Sequence, residues 1–356
     1  MSTRGRVFVG LSGGVDSSVA AALLTQEGYE VIGVFLRVWQ ADFLPCTWRE
    51  ERRSAMRAAA AIGIPFVTLD RGEEYKAHVV DAMVAAYARG EVPNPDALCN
   101  KQIKFGTFFD YARAHSADLI ATGHYARLSR TKEGDPELLR GVDPEKDQAY
   151  FLAGVSREAL RHVVLPIGGM KKSEVRALAR DLDLPTAEKK DSQGLCFLGH
   201  VDMPDFLGHF LDLAPGIVLD QDGSEIGTHR GAAAYALGQR HGFHLSHGNG
   251  APYYVVAKDL AKNTIRVSPI KPDERKTARI VSVQNANWLA DLNERTKGEA
   301  EYRYHGGARP AELEKTGPAT FRVEFDEPVE DLSSGQILVF SRGEQIVAAG
   351  EIAAAA

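Results

Sequence analysis

VFVGLSGGVDSS, at residues 7–18, is the stretch around which the chain organises itself. Val7, Phe8 and Val9 form a β-branched and aromatic run, Gly10 to Gly14 break it, and Val15 to Leu24 resume an apolar pattern compatible with a helix. The reading is strand, tight turn, helix N-terminus, with Ser12, Asp16, Ser17 and Ser18 crowded at the turn. Backbone N–H groups and the positive end of a helix converge there, so a phosphate-bearing ligand is the expected guest. No lysine follows the glycines, so this is not a G-x-x-x-x-G-K-[ST] loop, and the spacing is not the G-x-G-x-x-G of a dinucleotide turn.

Outward from this turn, residues 1 to about 125 alternate between strand and helix patterns. A helix over 19–28 stops at Gly28, EVIGVFLRV (30–38) is a strand, and a helix runs from about Arg49 to Ala61. PFVTLD (65–70) is a third strand, a helical stretch covers about Glu74 to Tyr87, and ADLIATGHYARL (117–128) reads as one further strand. Short strands separated by helices predict a Rossmann-like parallel sheet with helices on both faces, whose ligands sit beyond the C-terminal strand ends. Residues 129–148 read as a polar hairpin or loop extending from the sheet, and 149–184 as helical, with Ser173 capping the last helix. Beyond about residue 210 glycines multiply and runs shorten, which predicts a β-rich connecting domain and a final β-barrel-like domain. The expected divisions are 1–210, 211–275 and 276–356.

At 356 residues, 44% hydrophobic and 25% charged, the chain has the composition of a soluble globular protein. No stretch is long and apolar enough for a membrane span, and the first strand follows the N-terminus too closely for a signal peptide, so the cytoplasm is the expected location. A net charge of −6 does not advertise a nucleic-acid binder, although a local basic patch would suffice for one. The three cysteines, Cys46, Cys99 and Cys196, are too few and too scattered for a disulfide scaffold or a structural metal site.

Two of them have suggestive surroundings. Cys99 sits in EVPNPDALCNKQIKF, where prolines on either side of Asn94 stiffen the chain and Asp96 begins a turn or helix cap. A helical turn would put the Asp96 carboxylate on the same side as the thiol three residues later, near Lys101 and Lys104. Cys196 sits in EKKDSQGLCFLGH, with Lys189 and Lys190 before it and Gly194 beside it. Either thiol reads equally as a reactive group or as a buried small hydrophobe. Lys171 and Lys172 read as a solvated helix start.

The first loop resembles that of enzymes that split ATP to AMP and pyrophosphate. The whole chain resembles the tRNA-specific 2-thiouridylase family, through GLSGGVDSS (10–18), PNPDALCNKQIKF (93–105), ATGHYAR (121–127), KDQAYFL (146–152), KKDSQGLCFLG (189–199), GTHRGAAAYALGQRHG (227–242) and APYYVVAKD (251–259). The resemblance implies ATP-dependent replacement of the C2 oxygen of the wobble uridine, position 34 of tRNA, by sulfur. It implies that Gly10, Leu11, Ser12, Gly13, Gly14, Val15, Asp16, Ser17, Leu36 and Gly123 surround ATP, with Asp16 near its magnesium ion. Leu36 is a routine strand residue in any case, and flanks the adenine only by resemblance. Cys196 would receive sulfur as a persulfide from an upstream carrier protein, Cys99 would be the partner thiol, and Asp96 the acid or base. Asn94, Pro95 and Asp96 would meet the target base. His124, Asp147, Gln148, Ala149, Arg303, Tyr304 and Gln336 would be further tRNA contacts.

Those residue types suit the chemistry. A uridine C2 carbonyl is a poor electrophile, adenylation converts its oxygen into a leaving AMP, and water must be kept from the activated base. One thiol holds the sulfur while the other breaks the S–S bond and leaves an internal disulfide, or else liberates hydrosulfide. The chain departs from the family pattern at Gln193 and Leu195, at His241 and Phe243, and in SSGQ (333–336) and IVAAGEI (346–352). Two other functions compete: an adenylating amidotransferase or ligase, which needs no cysteine pair, and a catalytically silent RNA-binding relative. A monomer is the working expectation, with no structural metal.

Overall fold

The computed structural model describes residues 4–191, 199, 201–246, 252–269, 278–330 and 332–355. Strands β1 (Arg6–Gly10), β2 (Glu30–Val38), β3 (Phe66–Arg71) and β4 (Leu119–Ala121) come first. The hairpin β5 (Ala126–Arg130) and β6 (Pro136–Arg140) follows, then the two-residue β7 (Val163–Val164). The order β3-β2-β1-β4-β7 makes a sheet that is parallel throughout. Its central strand is buried on both faces, which is why it reads as a continuous apolar run. Phe8 packs with Tyr75, Met83 and Phe108 on one side. Val7 and Val9 pack with Leu24, Ala55 and Ala59 of helices α1 (Val15–Gln26) and α2 (Trp48–Ile62) on the other. This is the expected Rossmann-like layer.

A second sheet contains β8 (Gly216–Leu219), β9 (Glu225–His229), β10 (Phe243–Leu245), β11 (Tyr254–Asp259) and β12 (Thr264–Ser268), in the order β10-β9-β8-β12-β11. The third begins with β13 (Ala278–Trp288), β14 (Arg295–Glu301), β15 (Arg309–Gly317), β16 (Thr320–Val329), β17 (Ile337–Arg342) and β18 (Gln345–Ala355). These run β13-β16-β15-β14-β17-β18, and β13 also pairs with β18, so the ring closes into a barrel. Strand alternation fills it: Phe321, Val323 and Phe325 of β16 meet Leu313, Leu338 and Phe340 inside, while the intervening residues face out.

Several local expectations change. ADLIATGHYARL is not one strand, because β4 ends at Ala121 and residues 122–125 leave the sheet before β5 starts. The β5–β6 hairpin does not extend the parallel sheet. β6 pairs antiparallel with β18, Leu139 opposite Gln345 and Leu138 opposite Ile346, so the first layer contributes two strands to the edge of the barrel sheet. The 149–184 region is not uniformly helical: Ala149–Leu152 and Arg157–Leu160 are short helices, and β7 separates them from the helix Lys172–Asp181. Ser173 is not its cap, since Glu174 Oε2 accepts from the Lys171 amide at 2.7 Å and sets the start two residues earlier. Asp96 is not a cap either. Asn94 Oδ1 accepts from the Ala97 amide at 3.1 Å, which places Asp96 in the first turn of the helix Pro95–Cys99.

The barrel props this last segment. Gly335, in the divergent SSGQ turn, has φ +86°, and a Cβ there would stand 2.9 Å from Glu91 Cβ and 3.2 Å from the Val92 amide. That amide donates to Ser334 O at 2.8 Å. Gly335→Val is expected to lower stability by about 1–3 kcal/mol, the usual cost of overpacking, read from urea unfolding. An unchanged midpoint would contradict the packing described.

Candidate active site

A cavity of about 620 Å³, within the range of small-molecule sites, opens beyond the C-terminal ends of β1, β2 and β4. Gly10, Leu11, Ser12, Gly14, Val15, Asp16 and Ser17 line it, as do Leu36 from β2 and Gly123 and His124 beyond β4. Gln148 and Tyr304 complete the same wall, and Trp39 and Trp48 add aromatic faces.

The turn is shaped to offer amides. Gly13 has φ +81°, and a Cβ there would lie 2.4 Å from Glu51 O. Gly14 caps α1 without any side-chain hydrogen bond to the first turn, which leaves the helix N-terminus available to an anion. The hydroxyls are held locally: Ser18 Oγ donates to Gly14 O at 2.8 Å, and Ser12 Oγ and Ser17 Oγ lie 3.2 Å apart. Gly123 closes the cradle from β4, where a Cβ would stand 2.6 Å from the Ser17 amide nitrogen. The residues therefore fit a polyphosphate.

Asp16 is tied down. Tyr125 OH donates to its Oδ1 at 2.6 Å, and Lys172 Nζ lies 2.8 Å from both carboxylate oxygens. Lys172 is not a solvated lysine: its side chain is only 12% exposed, and it also pairs with Asp191 at 2.8 Å. Lys146 and Arg176 hold Asp191 as well, at 3.0 and 2.6 Å. Burial alone would raise the Asp191 carboxyl, but Lys172 and Lys146 overcome it and bring it down to about 2. Lys189 Nζ donates to Gly13 O at 2.9 Å and pairs with Glu51 at 2.6 Å, pinning the turn from behind. Tyr125, Lys172 and Asp191 escaped the sequence reading. Tyr125 lies within ATGHYAR (121–127) and Asp191 within KKDSQGLCFLG (189–199), which were the available signals; Lys172 had none. Among the described residues, no group of three or more His, Cys, Asp and Glu is arranged to hold a metal ion.

His124 is buried. Its Nε2 faces Lys104 Nζ at 3.4 Å and its Nδ1 faces Thr122 Oγ1 at 2.7 Å. An ammonium only donates, so Nε2 accepts and Nδ1 carries the proton toward Thr122. Burial, then the Lys104 charge, hold its pKa well below the ordinary 6.5. Lys104 lines the cavity from the π-helical turns Asn100–Thr107 that continue the helix bearing Asp96 and Cys99.

Of the remaining expected site residues, Gln148 and Tyr304 line the cavity, whereas Asn94, Pro95, Asp96, Cys99, Asp147, Ala149, Arg303 and Gln336 do not. Cys99 is fully buried in the core, with Asp96 half-buried one turn before it. Asp147 faces inward: Oδ1 accepts from the Gly141 and Ala149 amides at 2.8 and 3.1 Å, and Arg140 bridges its Oδ2 to Glu301. Gln148 Oε1 accepts from the Tyr125 amide, and Ala149 is buried. Tyr304 packs against Phe151 with the rings tilted and their centroids 4.3 Å apart, while Arg303 is exposed beside it. Asn94 and Pro95 lie at the start of the Cys99 helix, and Gln336 in the turn that props it. Cys196 lies outside the described residues, but Asp191 and Gly199, on either side of 192–198, both line the cavity. Cys46 is exposed.

Three family models match in succession: a tRNA methyl transferase HUP domain over 5–200, a tRNA methyl transferase PRC-barrel domain over 204–269, and an aminomethyltransferase beta-barrel domain over 278–352. A tRNA-specific 2-thiouridylase MnmA of Lysinibacillus sphaericus is 40% identical over 351 residues, covering 98% of this chain and 94% of the relative. The chain belongs to the tRNA-specific 2-thiouridylase family. A 2-thiouridylase of Akkermansia muciniphila is 41% identical over 97% of this chain and 98% of its own length. One from Geobacillus kaustophilus is 43% identical over 94% and 92%. Family membership covers all three sheets, and much of the cavity lining, though not Leu36, Trp39, Trp48, Lys172 or Tyr304, comes from the segments that first suggested it.

The His124 geometry has a measurable consequence. The unfolded chain binds a proton near pH 6.5 and the folded chain only well below it. The stability held by neutral His124 is therefore complete above about pH 6.5 and is lost as the pH falls from there toward the folded value. Unfolding free energies measured from pH 8 to 5 should fall less steeply for His124→Gln than for the wild type. Equal slopes would contradict a neutral, buried His124.

Proposed function

We propose that the protein uses ATP to replace the C2 oxygen of the wobble uridine, position 34 of tRNA, with sulfur. One observation carries the reading. The amide-rich turn after β1 opens into the same cavity as Gln148, Tyr304 and Lys104, so a nucleotide and an RNA base would meet in one space. In this reading the Ser12–Ser17 amides and hydroxyls bind the phosphates, and Leu36 and Trp39 flank the base of the nucleotide. A magnesium ion accompanying ATP would be held at Asp16 and would supply charge neutralisation to the phosphates, as suits a hard cation beside a carboxylate.

The sequence of bonds balances. The uridine C2 oxygen attacks the α-phosphorus and pyrophosphate leaves. The terminal sulfur of a persulfide on Cys196 then bonds to C2, and AMP departs with the original oxygen. The Cys99 thiolate attacks the Cys196 sulfur, which leaves the new sulfur on the base and a Cys99–Cys196 disulfide. Release of hydrosulfide by Cys99 is the competing route. Asp96, on the helical turn before Cys99, takes the proton role. Cys99 is buried here, so seating the RNA must uncover it. The cavity position of Asp191 and Gly199 supports the approach of Cys196 from the opposite rim. Sulfur reaches Cys196 from an upstream persulfide-carrying protein, and the working unit is a cytoplasmic monomer.

Cys99→Ser and Cys196→Ser should each abolish sulfur incorporation into unmodified tRNA while tRNA-dependent AMP release persists. Sustained thiolation in both variants would overturn the reading. Asp16→Ala should instead suppress adenylation and leave Cys196 able to accept sulfur, read from persulfide labelling. Affinity for tRNA should fall steeply with salt despite the acidic total, because each phosphate contact releases a counterion. A constant that is flat with salt would contradict phosphate-led docking.

A further inference from the structure

We infer that Lys172 is a phosphate-binding residue of the nucleotide site, exchanging Asp16 for a phosphate oxygen when ATP enters with its divalent cation. The inference rests on the ATP-dependent reading above and names a residue that neither the motifs nor the family resemblance single out.

Lys172 stands at the first turn of its helix and lines the cavity that the β1 turn opens into. Its ammonium is 2.8 Å from both oxygens of Asp16, the second residue of α1. The N-terminal amides of α1 and this ammonium thus face one space, and both favour an anion. Asp16 satisfies the ammonium in the absence of any phosphate.

Opening this pair is costly on its own, because it leaves a carboxylate and an ammonium short of partners in a partly buried place. A nucleotide with its magnesium ion supplies both replacements together. Asp16, to which Tyr125 OH donates at 2.6 Å, would hold the cation. The phosphate oxygen goes to the ammonium. Metal-free ATP would leave Asp16 with Tyr125 as its remaining partner, and free magnesium would leave Lys172 with Asp191 as its remaining partner.

Asp191 is what keeps the ammonium at hand during the exchange. It lies 2.8 Å from Lys172 Nζ and is itself held by Lys146 and Arg176. Asp191 is therefore a positioning residue. Its charge is satisfied from two other sides, so it can let Lys172 turn toward the phosphate without becoming unpaired.

The test is calorimetric titration of the full chain with magnesium α,β-methylene-ATP and, separately, with adenosine, in the wild type, Lys172→Gln, Lys172→Arg and Asp191→Asn. Lys172→Gln should weaken the methylene analogue about 10- to 100-fold, the range for a lost charge-assisted hydrogen bond, with adenosine unchanged. Lys172→Arg should restore most of the loss. Asp191→Asn, which keeps the lysine and removes its anchor, should weaken the analogue several-fold and again spare adenosine. Analogue binding unchanged in Lys172→Gln would overturn the inference, as would equal weakening of analogue and adenosine, which marks a structural role; unchanged binding in Asp191→Asn would overturn the positioning role of Asp191. Should the wild type bind no analogue at all, the ATP-dependent reading itself fails, a result distinct from either of these.

Discussion

The site depends on a distance too short for a side chain. Beyond β4 the backbone at Gly123 comes so close to the start of α1 that a Cβ would lie 2.6 Å from the Ser17 nitrogen. Two adjacent parallel strands, β1 and β4, thereby release their chains into one tight space, and the amides of the first turn face a cavity instead of a packed interior. The register of the sheet fixes this approach, since Val9 lies opposite Ala121, the last residue of β4. Everything else at the site is arranged around that contact. His124 turns inward to Thr122 and Lys104, and Tyr125 reaches across to Asp16.

Charge at the cavity is organised in layers. Asp16 and Lys172 front the nucleotide space, Asp191 stands behind the lysine, and Lys146 and Arg176 stand behind Asp191. The result is a charge-balanced cavity, Lys104, Lys146, Lys172 and Lys190 facing Asp16, Glu51, Glu145 and Asp191, on a chain whose formal net charge is −6. The overall count is thus a poor guide to this cavity, because Lys146, Lys172, Lys189 and Lys190 come from segments far from the glycine-rich turn in sequence and gather only in the fold.

Short-range patterns were readable in the sequence. β1, the turn and α1 follow from a run of apolar residues, three glycines and a resumed helical period, and β2 was placed at its observed bounds. What could not be read was set by partners far along the chain. The break after Ala121 follows from the fit of Gly123 against α1, and the Asn94 cap from a single side-chain hydrogen bond. Lys172 looked like any lysine opening a helix because its partner Asp16 is 156 positions away. The allegiance of β6 to β18 was likewise invisible, since antiparallel pairing over such a separation leaves no local periodicity.

That pairing makes the boundary between the first layer and the barrel something other than a linker. Tyr150 OH donates to Ile337 O at 2.7 Å, and Asn287 Nδ2 donates to the carbonyls of Ala153 and Val155, so side-chain bonds to main-chain carbonyls stitch the seam well beyond the hairpin itself. A chain cut near 276 would strip β6 of its neighbour and leave a bare strand edge on the first layer. Exposed edges of this kind recruit other chains. Severed halves of this enzyme would therefore tend to coagulate instead of behaving as two soluble proteins, and selection on either half is bound to the other through that seam.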